Sequence, residues 1–306
     1  MIQITYNGVD ITEDVSINRC YHDMYAGGQS DTLHLRVNDA KHLWDSWGPA
    51  DGDEIQVDYG TIGTGIMFVS KAVPQNGIYD ILAQSAPKSG FEVQHKAWQK
   101  VRLLQLGEEI AARNGLTFSS YGVTDRLYSY ILQDGIGDFP FLHYRAMLEG
   151  CAFQVYDKRL ILYSEPYMEG KDPVEVLDVT VDGDYKYNGW RSDLYGSCIV
   201  ENGLYSGSFA VENGSSRLYR PKTSGGAGSV AEANRFAAGF LRSVNKGCFS
   251  GYVRSRILPG YAAGSMIELV NARAPSWDGP VFLDHIRNDY GQGKSKIFFR
   301  KPLEGY

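Results

Sequence analysis

The sequence predicts a mainly β chain with an α/β insert (α+β), in which two similar small β-barrel, tube-like domains flank an α/β middle domain. Three observations predict it. Two stretches more than 200 residues apart carry the same β-unit. The first runs Gly52-Asp53-Glu54-Ile55-Gln56-Val57, then Gly65, Phe68-Val69, Ala72, Gly77 and Pro87. The second runs Gly264-Ser265-Met266-Ile267-Glu268-Leu269, then Gly279, Phe282-Leu283, Ile286, Gly291 and Pro302. From Gly65 the offsets to Phe68, Ala72 and Gly77 are 3, 7 and 12, and they recur from Gly279; the leading glycines lie 13 and 15 apart, a loop-sized difference. Composition is the second observation: Gly 35, Tyr 21 and Phe 13 favour short strands with tight turns. The third is a change of apolar period, from two to helical, after Pro87.

Residues 1–88 are expected to form the first barrel. Asn7-Gly8 between two alternating runs is a hairpin signal. Asp31 to Val37, Glu54 to Tyr59, Gly65 to Ser70 and Ile78 to Gln84 alternate as half-buried strands do. Residues 89–168 read as the α/β domain. Leu103, Leu106, Ile110 and Ala111 have helical spacing up to a stop at Asn114-Gly115. A second helix is expected from Asp138 as N-cap to Gly150, with Pro140 in its first turn, where a missing N–H costs nothing. Strands 152–156 and 160–163 follow, turning at Asp157-Lys158-Arg159. Residues 169–306 read as the second barrel with an inserted helix at about 229–246, opened by the capping box Ser229-Val230-Ala231-Glu232.

Length and composition narrow the function. At 306 residues the chain has room for two or three cores. Its formal charge of −6 and lack of any polybasic run give no footprint for direct nucleic-acid binding. No apolar run reaches the ~18 residues a membrane span needs, and the neutral N-terminus has no signal-peptide pattern; synthesis in a bacterial cytoplasm is expected. Cys20, Cys151, Cys198 and Cys248 are scattered without a CxxC pair, so free, partly buried thiols are expected.

No motif compels catalysis. Gly291-Gln292-Gly293-Lys294-Ser295 resembles the end of a phosphate-binding loop, but Asn288 stands where glycine is needed and a strand follows, so it reads as a hairpin turn. Gly60 to Gly65 is another turn. Gly225 to Gly228 precedes a helix whose N-terminus can hold an anion, yet carries no Lys or Arg, so a plain loop is favoured. His22, His34, His42, His95, His143 and His285 show no metal-ligand spacing. Asp284-His285 has the order of an oriented base, but it falls in the strand repeat, where a structural role is favoured. Asp51-Gly52-Asp53-Glu54 and Asp182-Gly183-Asp184 read as turn carboxylates. Trp44, Trp47, Trp98, Trp190 and Trp277 read as buried or interfacial anchors. No catalytic, cofactor-binding or metal-binding residue is therefore expected, and no cofactor.

Four passages, in order along the chain, resemble the late control D family of phage tail proteins. They are Ile4 to Thr12; Trp47-Gly48-Pro49-Ala50-Asp51-Gly52-Asp53-Glu54-Ile55 with Gly65 to Val69; Leu104 to Leu116 with Gln133 and Phe141-Leu142; and Leu258-Pro259-Gly260 with Ala263-Gly264-Ser265 and Phe299 to Glu304. The resemblance, which extends to the hub portion of type VI secretion spikes, implies a structural, non-enzymatic baseplate hub of a contractile phage tail or phage-tail-like particle. It implies a homotrimer that adapts a hexameric tail tube to a trimeric spike. Its implied partners are the tail tube protein, the central spike protein, further baseplate proteins and the tape measure protein, with spike and lysin as separate chains. A trimer of a duplicated barrel would offer six similar positions to the tube, through exposed strand edges. Two rivals remain from the residues: a glycan or peptidoglycan hydrolase using carboxylates such as Asp182 or Asp284, and a carbohydrate-binding module using exposed Tyr and Trp.

Overall fold

The computed structural model describes residues 2–180, 184–189 and 191–306. The first β-unit comprises β1 (Ile2–Tyr6), β2 (Val9–Asp10), β3 (Ser16–Tyr25), β4 (Thr32–Asn38), β5 (Glu54–Tyr59), β6 (Ile62–Gly63), β7 (Met67–Gln75) and β8 (Ile78–Gln84), with a short helix α1 (Leu43–Trp47). The β1–β2 hairpin turns at Asn7-Gly8, both at positive φ, as the dipeptide predicts. Alternation holds along β4, β5 and β8. Leu33, Leu35 and Val37 of β4, Ile55 and Val57 of β5, and Ile81 of β8 point into one core around Trp44.

In the middle segment β9 (Gln94–Arg102), α2 (Leu103–Arg113), β10 (Thr117–Tyr121), β11 (Leu127–Ile136), α3 (Asp138–Leu148), β12 (Cys151–Tyr156), β13 (Arg159–Ser164) and α4 (Glu165–Glu169) follow one another. Both expected helices and both expected strands form. Asp138 is not the cap of α3: that position is Gly137, and no side chain caps it. The Asp138 carboxylate instead turns inward, accepting from Arg113 Nη2 (2.5 Å), Gln133 Nε2 (2.9 Å) and Asn114 Nδ2 (3.0 Å). A buried charge needs these partners more than the helix needs a cap.

Beyond them lie β14 (Val176–Asp178), β15 (Tyr185–Gly189), β16 (Ser197–Asn202), β17 (Tyr205–Ala210), β18 (Leu218–Tyr219), α5 (Val230–Asn245), β19 (Phe249–Arg256), β20 (Met266–Val270), β21 (Gly279–Asp289) and β22 (Lys294–Arg300). Ser229 caps α5, its Oγ accepting from Glu232 N–H at 3.1 Å, while Glu232 Oε2 accepts from Gly228 N–H at 2.7 Å. The apolar stripe Ala233, Phe236, Ala237, Leu241 is buried with Leu106 of α2 and Leu142 and Leu148 of α3, so α5 shares a core with the middle helices. Cys198 and Val200 of β16 belong to the same core.

The two β-units share one topology. Taking six strands of each in chain order, the first unit lies side by side as β3-β4-β8-β7-β5-β1 and the last as β15-β19-β22-β21-β20-β14, the order 2-3-6-5-4-1 in both. The hinge glycines of the repeat match in detail. Gly52 and Gly264 have φ of 91° and 90°, a conformation that disfavours a Cβ. Gly52 N–H donates to Val69 O and Gly264 N–H to Leu283 O, each at 2.8 Å. The reciprocal bonds run from Val69 N–H to Asp53 O and from Leu283 N–H to Ser265 O. One bulge interrupts β7 between Val69 and Lys71, and another interrupts β21 between Leu283 and His285, at the same place in the repeat. The hairpin loop is two residues longer in the second copy (290–293 against 76–77), so from there the correspondence shifts. Gln84 matches Arg300, and Pro87 and Pro302 are one position out of step. Strands β1 and β14 differ, since β1 joins β5 antiparallel and β14 joins β20 parallel.

The expected closed barrels do not form within one chain. Fourteen strands make one continuous sheet, and no sheet among the described residues closes on itself. The reason lies in β21. Its first half pairs with β20, but its second half crosses to the first unit, pairing His285 to Asp289 with Tyr25 to Tyr21 of β3. This antiparallel seam welds the two units edge to edge.

Candidate interaction surfaces

The motifs weighed for chemistry occupy structural places. Residues 291–295 form the β21–β22 turn and the start of β22. The end of α5 after the glycine loop is already occupied by Glu232, so the anion reading loses its site. His22 is fully buried beside the Tyr290 hydroxyl (2.8 Å), and burial pushes its imidazole down to about 4, so it stays neutral. His285 lies stacked between Tyr25 and Phe298, its Nε2 2.6 Å from Asp23, which also accepts from Arg287 Nε at 2.8 Å. Asp284 pairs with Arg300 (3.1 Å), and burial pushes its carboxyl up to about 6 against the pull of Arg300 and Lys246. All four cysteines are free, and burial pushes the thiols of Cys20 and Cys151 up to about 12 and of Cys198 up to about 11, the reverse of an activated nucleophile.

Among the described residues no group of three or more His, Cys, Asp or Glu is placed to hold a metal ion, and no helix is long and apolar enough to cross a membrane. Asp182, Gly183 and Trp190 lie outside the described residues. Of the other tryptophans, Trp44 and Trp98 are buried, Trp47 packs on Trp44, and Trp277 is stacked on Tyr187 (centroids 4.9 Å); none forms an open platform.

A buried charge cluster, invisible to sequence because its members are scattered, ties α4, α5 and β22 together. Arg300 (0% exposed) is ion-paired with Glu169 and Asp284 and lies over the Phe282 ring. Arg242 (2% exposed) donates to Glu165 (3.0 Å) and pairs with Glu169, and Lys246 pairs with Glu165. Burial acts to raise the Glu165 carboxyl, but Lys246, Arg242 and Arg300 outweigh it and hold it below the usual range. Every carboxylate here faces a cation at contact distance. Around Glu165 and Glu169 the arrangement neutralises charge, and it serves as a cross-link between segments; Asp284 is the member whose carboxyl burial raises.

What the chain does present is edge and face. Strand β5 pairs with β7 only through Glu54–Phe68 and Ile55–Met67, which leaves Lys71 to Gln75 without a partner on that side among the described residues. Strand β15 ends the sheet path, with no strand on its outer edge among the described residues. The ribbon formed by β9 and β11, which the sequence did not reveal, turns Leu127, Tyr130 and Leu132 outward at 50, 54 and 51% exposure. Leu204, at the β16–β17 turn, is 88% exposed. Open strand edges and exposed apolar strips are the marks of assembly.

No family model matches the sequence, and no curated protein matches it. Solved structures do. The 43 kDa tail protein of prophage MuSo2 from Shewanella oneidensis superposes with a TM-score of 0.74 at 11% identity, covering 98% of each chain. A tail protein from Neisseria meningitidis MC58 gives 0.74 at 11%, covering 98% of this chain and 95% of that one. The E. coli c3393 protein gives 0.61 at 10%, covering 99% and 78%; it is described as a type VI secretion component with structural similarity to the T4 bacteriophage tail proteins gp27 and gp5. The chain thus has the fold of these prophage tail and secretion-spike proteins.

Proposed function

We propose that this chain is a structural hub of a contractile phage tail or phage-tail-like particle: a homotrimeric adaptor, sited in the baseplate, that joins a hexameric tail tube to a trimeric spike. The observation that carries the reading is the duplicated unit, six strands in one order twice over, welded by an internal seam. Three such chains around an axis offer six near-equivalent units, which is what seating a threefold object on a sixfold one requires. The shared fold with tail proteins supports the same reading. In this proposal the chain divides at 1–88, 89–168 and 169–306, its partners are tube, spike and other baseplate proteins, and it carries out no catalysis. Among the described residues, the Asp284–Arg300 ion pair and the packed tryptophans favour this reading over the hydrolase and sugar-binding ones.

Light scattering tests it. A species of three times the 34.0 kDa chain mass, alone or on adding the cognate spike, is expected. Its interfaces should bury well over ~2,000 Å². A chain that stays monomeric at high concentration and in the presence of both spike and tube protein would refute the adaptor.

A further inference from the structure

The internal seam shows how one unit joins the next, and the repeat transfers that geometry to a place where the partner is missing. We infer that residues 71–75 of β7 pair antiparallel with β15 of a second copy of this chain, reproducing between copies the β21–β3 seam found within one. The inference rests on the hub reading and deepens it by naming the edges that meet.

The correspondence follows strand by strand. β7 matches β21, with Lys71, Ala72, Val73, Pro74 and Gln75 in the places of His285, Ile286, Arg287, Asn288 and Asp289. Across the sheet, Thr32 and Leu33 of β4 take the places of Ser250 and Gly251 of β19. Their partners on the next strand are Asp23 and His22 in the first unit, and Asn188 and Tyr187 in the second. β15 is therefore the second unit's β3. In the first unit β3 receives β21; in the second, no strand lies on the outer edge of β15 among the described residues. Conversely β21 has its β3, and the same half of β7 has no such partner among the described residues. Ile286 and Asn288 are buried in the seam (1 and 3% exposed), whereas at the matching places Ala72 is only half-buried and Pro74 is exposed.

Hydrogen-bond phase agrees on both edges. Bonds from Ala26 N–H to Asp284 O and from Tyr290 N–H to Cys20 O bracket the internal seam. With bonded pairs alternating, Ile286/Met24 and Asn288/His22 are bonded and Arg287/Asp23 is not. On β7, the two-residue Asn76-Gly77 turn puts Gln75 and Val73 in bonded pairs with β8, so Ala72 and Pro74 face outward. On β15, the bond from Arg254 N–H to Asp184 O makes Lys186 and Asn188 face β19, so Tyr185, Tyr187 and Gly189 face outward. These are the positions of Ile286, Asn288, Cys20, His22 and Met24. The register that results is Ala72 with Gly189, Val73 with Asn188, Pro74 with Tyr187 and Gln75 with Lys186.

Pro74 matters twice. It lacks the N–H that Asn288 supplies, so the seam between copies has one bond fewer than the seam within a chain. It also blunts the edge against indiscriminate pairing while its carbonyl still accepts from Tyr187. A ring built this way pairs the β7 and β15 edges with each other, so within it the edges left for the tube are others, such as those of β1–β2 and β14.

Disulfide trapping tests the register. Val73 and Asn188 form an unbonded pair, where Cα atoms lie about 4.5 Å apart, within disulfide reach. Oxidised V73C/N188C protein should give a ladder that stops at three copies on a non-reducing gel. Neither single variant should do so, nor should V73C/K186C, whose Cα atoms sit about 7–8 Å apart diagonally. A trimer by light scattering without the 73–188 link overturns this seam and leaves the hub standing. A ladder running past three copies overturns the closed ring. Monomer mass together with no link at any concentration overturns both.

Discussion

Replacing Arg300 with Met removes one guanidinium from the cluster between α4, α5 and β22. The side chain is fully buried, paired with Glu169 and Asp284, and lies 4.3 Å from the Phe282 ring centroid. Met fills much of the volume, so the packing term is small and the electrostatic term is isolated. Glu169, with 4% side-chain exposure, then keeps only Arg242 as counter-charge, and Arg242 is already shared with Glu165. Removing one member of a buried pair typically costs about 3–5 kcal/mol, because the other charge is left without compensation. The Arg242 partner that remains sets the expected loss near the lower end, about 3 kcal/mol. Arg300→Lys keeps charge but loses the forked geometry and should fall between. Urea denaturation of wild type and both variants measures it. A loss below about 1 kcal/mol for R300M would refute the reasoning, since it would mean that the cluster is hydrated and not a cross-link.

Three further outcomes follow from named groups. Burial pushes the Asp31 carboxyl up to about 7, with Asp23 adding to the effect against the Tyr25 N–H it accepts. A raised acid contributes stability below its unfolded value near 4 that is lost as pH rises through about 7, a share of at most about 4 kcal/mol. D31N should therefore gain on wild type in denaturation at pH 8 relative to pH 5, and a pH-independent difference would count against it. Ala at Gly52 and at Gly264 should each cost about 1–3 kcal/mol, because both backbones sit near φ +90°, with the larger loss at Gly264, where a Cβ would also meet Gln154 Nε2 at 3.3 Å; thermal melts showing either one neutral would break the equivalence of the two units. P74V should restore the missing donor and raise the concentration resistance of the trimer to dilution, read by scattering; unchanged dissociation would argue against β7 as the edge in contact.

Much of this fold was legible because its strands are half-buried. In Leu33, Leu35, Val37 and again in Ile55, Val57 the period of two is undiluted, and the matched glycines flag the turns that only positive φ permits. The β9–β11 ribbon was illegible because its outward residues include Tyr130 and Leu132, which erase the alternation that solvent normally writes into a strand. Asp138 looked like a cap because sequence cannot show that Arg113, Asn114 and Gln133 converge on it. The charge cluster and the seam were hidden for one reason: each joins segments far apart in the chain, Glu169 with Arg300 and β3 with β21, which share no local pattern. The open edges were foreseen in kind but without residues, since an edge is defined by the partner that fails to arrive.

The internal seam and the one proposed between copies together give a reason for one chain to carry both units. Within a chain the junction can be charged and specific: Asp23 binds His285 and Arg287, and His22 meets Tyr290 across it. It forms as the chain folds, so its cost in lost freedom is already included in folding. At the matching positions on the open edges stand Val73, Lys71 and Asn188, a plainer set with Pro74 removing a donor. A junction between copies must form late and must not form between two β7 edges or two β15 edges. A set with fewer bonds and no matched ion pair suits that demand, because the contact holds only when three copies close and all three seams form together. Six identical single-unit chains would have to use one seam for both purposes. Fusing the units lets one junction harden while the other stays reversible, and the difference between Arg287 and Val73 at the same place in the repeat is where the two demands part.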